Sequence, residues 1–313
     1  MRLKIDQILH FLKEHKIDYS LTRSTSNFDF RPASFLNLID NGIYHVSSGF
    51  KGSLEDIRQS IILAEEEIEE FNNNIIIKVK NAQLVHYLIS QLFEEKRERL
   101  VHKTAIIHPE AVIGENVYIG PYTIIDKAII ENDVIIESNV RVYSNVTIKS
   151  RTKIDSNSAI GPEGVVWVWD ESGNRIKQSQ LGGVVIGSDC YIGTDVSIVR
   201  GSLSENTLIG KNCVIAHGTK IGHGAIVGEM VHMANNVSLA GNTKINSRTY
   251  LGSGAVVPSN VTIPANSIVG AGAVVNKNYK EEFCTFVGVP AKILYNKNYN
   301  KKGSGTPIPY KNN

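Results

Sequence analysis

From Ile209 to Val275 an apolar residue occupies every sixth position without a miss: Ile209, Ile215, Ile221, Val227, Met233, Leu239, Ile245, Leu251, Val257, Ile263, Val269 and Val275. Two residues before each member from Ile215 onward stands a small or β-branched residue: Cys213, Thr219, Ala225, Val231, Val237, Thr243, Thr249, Ala255, Val261, Ser267 and Ala273. Neither an α-helix nor an ordinary strand repeats every six residues. A three-sided coil does, if each side takes one short strand and one turn. The aliphatic side chain then points inward, and the next coil stacks about 4.8 Å away. The same register runs earlier, through Ile107, Ile113, Ile119 and Ile125, and then Ile130, Ile136, Val142, Ile148, Ile154 and Ile160. It resumes at Ile186, Ile192 and Ile198. The pattern predicts an all-β architecture, a left-handed parallel β-helix of hexapeptide repeats, behind a small N-terminal α/β domain.

The predicted boundaries follow from where the register starts and fails. Residues 1–101 lack it. Ile5, Ile8, Leu9 and Leu12 mark an amphipathic helix, Ile43 to Val46 a short strand, and Asn72-Asn73-Asn74 a turn before the strand Ile75 to Val79. Leu84, Leu88, Ile89 and Leu92 mark a second helix, ending in the charged run Glu94 to Arg99. The coil stack is expected over 102–280. It is read as broken once, by an excursion at 162–183 that carries both tryptophans, Trp167 and Trp169, with a hairpin turn at Asp170 to Asn174. That excursion, Trp167 included, reads either as a binding lip or as a cover for coil surface or a neighbouring subunit. Residues 281–313 are expected to leave the register, with a disordered polar tail from Lys297.

Composition narrows the functions. A net charge of +2 over 313 residues gives no nucleic-acid-binding surface. Three isolated cysteines fit a reducing cytoplasm, and two of them, Cys190 and Cys213, fall at inward positions of the repeat. No segment reads as a signal peptide, and none approaches the roughly 20 apolar residues of a membrane span. The expectation is a soluble cytoplasmic protein that associates side by side, as a homotrimer.

Candidate chemistry centres on three of the nine histidines, His217, His223 and His232, which fall close together in the best-formed part of the repeat. Each lies beside an inward position, so each ring should point outward. An imidazole is the usual group for taking a proton from an attacking amine or hydroxyl near neutral pH. With eighteen residues per coil, Gly241 should stack on His223 and offer its amide to an oxyanion.

The segment Ile221-Gly222-His223-Gly224 through His232 to Gly241-Asn242 resembles the catalytic stretch of nucleotide-sugar acetyltransferases of the sialic-acid and bacillosamine pathways. The resemblance implies His223 as the base and His232 as a ligand-binding residue. In that family an acidic residue directly follows the base. Here it is Gly224, so whatever orients His223 is expected elsewhere, another subunit included. Val287-Gly288-Val289-Pro290-Ala291-Lys292 resembles the ending of acetyl-CoA-dependent hexapeptide enzymes.

A second resemblance spans nearly the whole chain. Gly161-Pro162-Glu163-Gly164, Lys177 to Gly182, Val185-Ile186-Gly187 and Arg200-Gly201-Ser202-Leu203 are similar to the UDP-3-O-acylglucosamine N-acyltransferases of lipid A synthesis. It implies substrate contacts from Gln180 and an N-terminal uridine site in which Tyr44 and Phe50 flank the base, with Ser47 where that family has asparagine. The fragment Ile215-Ala216-His217 resembles that family's base motif and makes His217 the alternative base. A gapless run from Arg200-Gly201 to Ala240-Gly241 selects His223 instead.

The expected activity is transfer of an acyl group from acyl-CoA, acetyl-CoA in particular, to the amine of a nucleotide-linked amino sugar in bacterial surface-glycan (lipopolysaccharide) synthesis. The thioester is a co-substrate, and no permanently bound cofactor or metal is expected. The alternative is the lipid A enzyme itself, with acyl carrier protein as donor. A γ-type carbonic anhydrase with three histidine ligands and a non-catalytic scaffold are the remaining readings.

Overall fold

The structure is a computed structural model that describes residues 2–23, 25–94 and 100–294. The chain divides into two compact units, Met1–Arg97 and Glu98–Asn313.

Among the described residues of the first unit, six strands and two helices form an α/β layer pair. The central strands Gly42–Val46, Ile61–Ala64 and Ile75–Val79 run parallel, with Ile61–Ala64 in the middle. The helix Ile5–Glu14 buries Ile5, Ile8, Phe11 and Leu12, the expected face. Asn72 and Asn73 take left-handed conformations in the expected turn. The strand Ile61–Ala64 was not read from the sequence because it is covered on both sides and shows no alternation. The second helix, Ala82–Gln91, starts where the Asn81 side chain accepts the Leu84 amide at 2.9 Å. Its buried residues are Ala82, Val85, His86 and Ile89, and Leu88 and Leu92 pack against the same core as expected, whereas Leu84 is 52% exposed. Residues 95–99 of the expected charged run lie outside the described residues.

The second unit is a parallel β-helix. Its first face holds eight strands, from Ile106–Ile107 to Val256–Val257, and its second holds eight, from Val112–Ile113 to Thr262–Ile263. The third face holds ten, from Tyr118–Ile119 to Lys292–Ile293. Ile221 pairs with Leu239 and Leu239 with Val257, so a coil is eighteen residues as the register requires. All twelve apolar residues of the run from Ile209 to Val275 are buried, as are the small residues from Cys213 to Ala273. The corners repeat at the same interval: Gly224, Asn242 and Asn260 all sit at positive φ. Asparagine and glycine tolerate that left-handed conformation with little strain, which is why they recur there.

Two expectations about the register change. The stack continues past Lys280, because Thr285–Val287 pairs in parallel with Ile268–Val269 and buries Phe286 in the same column. Lys292–Ile293 then turns back on it. The polar tail expected from Lys297 lies outside the described residues. The stack is also broken twice. Besides the long excursion between Ala159–Ile160 and Val184–Ile186, a shorter one lies between Ser197–Ile198 and Thr207–Ile209.

Candidate active site

One corner of the β-helix, between the first and second faces, collects the irregular segments from successive coils. The strands Ala159–Ile160, Ser197–Ile198, Lys220–Ile221 and Ser238–Leu239 lie one above another on the first face. The long excursion leaves after the first and the short excursion after the second. His223 stands in the turn after the third, and Gly241 in the turn after the fourth. No ladder bond is lost at such a corner, so the stack accommodates both insertions.

The two excursions lock together through close backbone contact. The Leu181 amide donates to the Ser202 carbonyl at 2.9 Å, and the Gly201 amide to Gly183 at 3.1 Å. A side chain at Gly182 or Gly201 would collide with the Glu205 carbonyl, so glycine is required there. Arg200 secures the root of the long excursion. Its guanidinium donates to the carbonyls of Gly161 and Ser144, both at 2.8 Å, and to Gln180 at 3.5 Å.

His223 is half-buried in this corner. Its Nδ1 lies 3.0 Å from the Ser202 hydroxyl. Its Nε2 edge faces Gly241, where a Cβ would come closer than 3.0 Å to the ring. Gly241 thus stacks on His223 as the eighteen-residue coil requires. The flanking amides of Ala240 and Asn242 donate to Val257 and His223, while the Gly241 N–H has no acceptor among the described residues. On the other side, a Cβ at Gly164 would stand 3.7 Å from the His223 ring and 3.1 Å from Gln180 Oε1. Gln180 is only 3% exposed, and its Oε1 has no hydrogen-bond partner among the described residues. A buried amide oxygen left unpaired costs about 1–3 kcal/mol, an unusual expense outside a binding site.

Glu205 completes the corner. Its carboxylate accepts the Ser202 amide at 2.6 Å and the Leu203 amide at 3.2 Å. Its own backbone amide, with those of Ser202 and Leu203, holds its carboxyl below the usual range. Sequence reasoning missed Ser202 and Glu205 as site residues. The signal was present: Ile198 and Ile209 are eleven residues apart, which no whole number of hexads fits.

The other histidines lie elsewhere. His217 is exposed at the corner between the third and first faces, where its Nδ1 accepts the Thr194 amide at 2.9 Å. His232 projects from the third face, its ring edge-on to Tyr250 at 5.1 Å, and burial lowers its pKa. Among the described residues no three His, Cys, Asp or Glu side chains converge as metal ligands. The cysteines are buried, and the Cys190 and Cys213 thiols each donate to a carbonyl of a neighbouring coil at 3.1 Å. Trp167 is 42% exposed on a hairpin whose strands are Trp167–Trp169 and Arg175–Lys177, with the Asp170 carboxylate capping the expected turn. The two indoles meet edge to face at 5.0 Å.

In the first unit, Tyr44 is fully buried, and its hydroxyl bonds the Ile39 backbone at 2.7 and 2.9 Å. It therefore offers no face for a nucleobase, contrary to the expectation. Ser47 and Phe50 line a cleft of about 250 Å³ together with Glu66 and Glu67. No helix among the described residues is long and apolar enough to cross a membrane.

Comparison with known proteins gives this geometry a chemical context. The bacterial transferase hexapeptide family (six repeats) matches residues 201–235, the stretch that contains Ser202, Glu205 and His223. No curated protein sequence is significantly similar to the chain. Among solved structures, the UDP-N-acetylglucosamine O-acyltransferase LpxA of Moraxella catarrhalis is 26% identical, with a TM-score of 0.56 over 62% of this chain and 73% of that one. LpxA of Acinetobacter baumannii is 28% identical, with a TM-score of 0.55 over the same shares. UDP-N-acetylglucosamine acyltransferase of Campylobacter jejuni, 24% identical with a TM-score of 0.55 over 62% of this chain and 74% of its own, shares the fold.

With its repeat signature and its likeness to these enzymes, the chain is an acyltransferase built on hexapeptide repeats.

Proposed function

We propose that this acyltransferase transfers an acyl group from a CoA thioester, acetyl-CoA in particular, to the amine of a nucleotide-linked amino sugar. The observation that carries the reading is His223, fixed at Nδ1 by Ser202 while its Nε2 edge faces Gly241, whose N–H has no acceptor among the described residues. The neutral imidazole takes a proton through Nε2 as the sugar amine attacks the thioester carbonyl. The carbonyl oxygen becomes an oxyanion that accepts the Gly241 N–H. Collapse of the tetrahedral intermediate breaks the C–S bond, and the imidazolium returns the proton to the departing thiolate. No acyl-enzyme is required, in keeping with the burial of the three cysteines.

The unpaired Gln180 Oε1 supports an amine acceptor over a hydroxyl. A neutral amine has two N–H groups, one for His223 and one for an acceptor oxygen, whereas a hydroxyl has a single proton to give. The nucleotide-sugar substrate draws on the name of the Moraxella catarrhalis relative, a UDP-N-acetylglucosamine O-acyltransferase. Ser47 and the 38% exposed Phe50 offer a hydrogen bond and a ring face for a nucleobase. His232 and Trp167 are carried as further ligand contacts, and a homotrimer in the cytoplasm as the working form. The Moraxella catarrhalis relative is named an O-acyltransferase, which makes a hydroxyl acceptor the second reading, and acyl carrier protein replaces CoA as donor in the variant of either one.

Thiol release from acetyl-CoA, followed with a UDP-linked amino sugar and with UDP-N-acetylglucosamine, tests these readings. Turnover with the amine acceptor alone is expected. Equal or better turnover with the hydroxyl acceptor moves the assignment to O-acylation, and wild-type turnover in His223→Ala removes His223 as the base.

A further inference from the structure

The residue after His223 is a glycine, and the corner shows what surrounds it. Gly224 sits at φ +63°, and a Cβ there would come closer than 3.0 Å to Asn242 Oδ1. The same Cβ would lie 3.6 Å from Glu205 Cγ. A Cβ at position 224 would thus lie in van der Waals contact with the stem of a carboxylate delivered from the preceding coil. We infer that the loop 199–206 is the positioning device for His223: Ser202 grips the imidazole through Nδ1, and Glu205 supplies the negative charge that makes Nδ1 the protonated nitrogen. The inference rests on reading His223 as the base.

Three features of the loop carry it. The Ser202 hydroxyl is within hydrogen-bond distance of Nδ1, at 3.0 Å. Both Glu205 oxygens are engaged by backbone amides, those of Ser202 and Leu203, so the carboxylate is fixed on the backbone of the serine that grips the ring. The loop itself is immobilised by the Leu181-to-Ser202 and Gly201-to-Gly183 backbone bonds. The low pKa of Glu205 agrees with this arrangement.

The consequence is a choice of tautomer. If Nδ1 bears the proton, it donates to Ser202 Oγ, and the Nε2 lone pair faces the Gly241 edge, ready to accept a proton. If Nε2 bears the proton, Ser202 donates to Nδ1 and the ring cannot act as a base toward that edge. A fixed negative charge held on the Ser202 backbone favours the first arrangement, because it places the N–H end of the ring dipole toward the anion. The same charge stabilises the imidazolium once the proton has been taken. Ser202 and Glu205 touch no reacting atom in this scheme, so they are positioning residues.

The test is ¹⁵N NMR of the His223 ring in the full-length protein without substrate, beside steady-state thiol release from acetyl-CoA with a UDP-linked amino sugar. In the wild type the neutral ring should carry its proton on Nδ1. In Ser202→Ala and Glu205→Gln the proton should redistribute toward Nε2. Turnover should drop about tenfold in kcat with KM unchanged, a loss on the scale of one positioning hydrogen bond in acid–base catalysis. Ser202→Thr, which keeps the hydroxyl, should restore the wild-type tautomer. A tautomer that is the same in wild type, Ser202→Ala and Glu205→Gln overturns the inference whatever the activity does. Wild-type turnover in His223→Ala overturns the base assignment instead, and the NMR comparison then still decides whether the loop sets the ring.

Discussion

The coils from Ile209 to Val275 and the loops at 161–183 and 199–206 belong to one β-helix, yet they obey different rules. In the coils each residue's role follows from its place in a six-residue cycle. Val227 and Ile245 are buried because they hold the same phase, and either would do in the other's place. In the loops the residues that build the corner hold individual contacts. Arg200 reaches carbonyls from two other segments, and Gly201 is required by one oxygen of Glu205. The difference teaches that the repeat supplies a rigid edge and the interruptions supply the chemistry set on it. His223 belongs to both, a residue in phase with the coils and held by a loop.

The largest expected effect separates the two contributions at that residue. His223→Ala should lower kcat/KM by roughly 10²–10⁴-fold, the range for loss of a general base. Thermal stability should be unchanged, because the side chain lies outside the stack. A melting curve that falls along with activity would mean that the imidazole is part of the scaffold.

The converse substitution lies one coil away. Leu239 pairs with Ile221 and Val257 inside the stack and is buried. Leu239→Ala should cost about 2–5 kcal/mol in chemical denaturation, since a cavity in a tightly stacked core cannot collapse far. If folded protein recovers full turnover at low temperature, the coils act only as a frame. A kcat loss in the folded fraction would show that the frame's spacing sets the site.

A smaller effect is expected at the junction of loop and coil. Arg200→Gln removes the donors to the Gly161 and Ser144 carbonyls. Global stability should fall by about 1–3 kcal/mol at most, the scale of losing buried charge-assisted hydrogen bonds. The response should be concentrated in the loop. Trp167 and Trp169 are the only tryptophans in the sequence, so intrinsic fluorescence reports the long excursion selectively. A red shift with an unchanged far-ultraviolet circular dichroism spectrum is the expected pair of results. Parallel loss of both signals would join the excursion to the stack as one cooperative unit.

The same contrast governs what could be read from sequence. Phase is a property of residue type alone, so the coils, their eighteen-residue length and the meeting of His223 with Gly241 were all legible. So was the hairpin, through Asp170 to Asn174. The loop 199–206 has no period, and its contacts join residues whose separations reflect the path of the backbone, such as Leu181 with Ser202. Burial on both faces concealed the strand Ile61–Ala64. Tyr44 was misjudged for a different reason: its neighbours in sequence fit a nucleobase site, but its ring fills the core and its hydroxyl closes on Ile39. Of the expected helix face only Leu84 points outward, because a leucine marks an apolar side only when the layer beneath lies there.

The smallest effect, acid sensitivity, distinguishes the loop from the coils most cleanly. Buried phase positions of the stack are apolar, hydroxyl or thiol groups that take up no proton in acid, so the coils have little direct response to mild acid. Glu205 does titrate. Its folded pKa is depressed, chiefly by backbone amide donors, with the Ser202 and Leu203 amides among them. A depressed carboxyl contributes stability that is fully present above its unfolded pKa and is lost as the pH falls through the folded one. The carboxyl is largely exposed, so the contribution is screened and local. Lowering the pH below the ordinary glutamate range should therefore release the loop before the stack unfolds. Tryptophan emission should shift at a higher pH than the circular dichroism does, and Glu205→Gln should remove the emission shift in that window. If the variant keeps the shift, another carboxylate of the excursion governs it. Glu163, paired with Lys177 and likewise held low by that pair, is then the group to replace next.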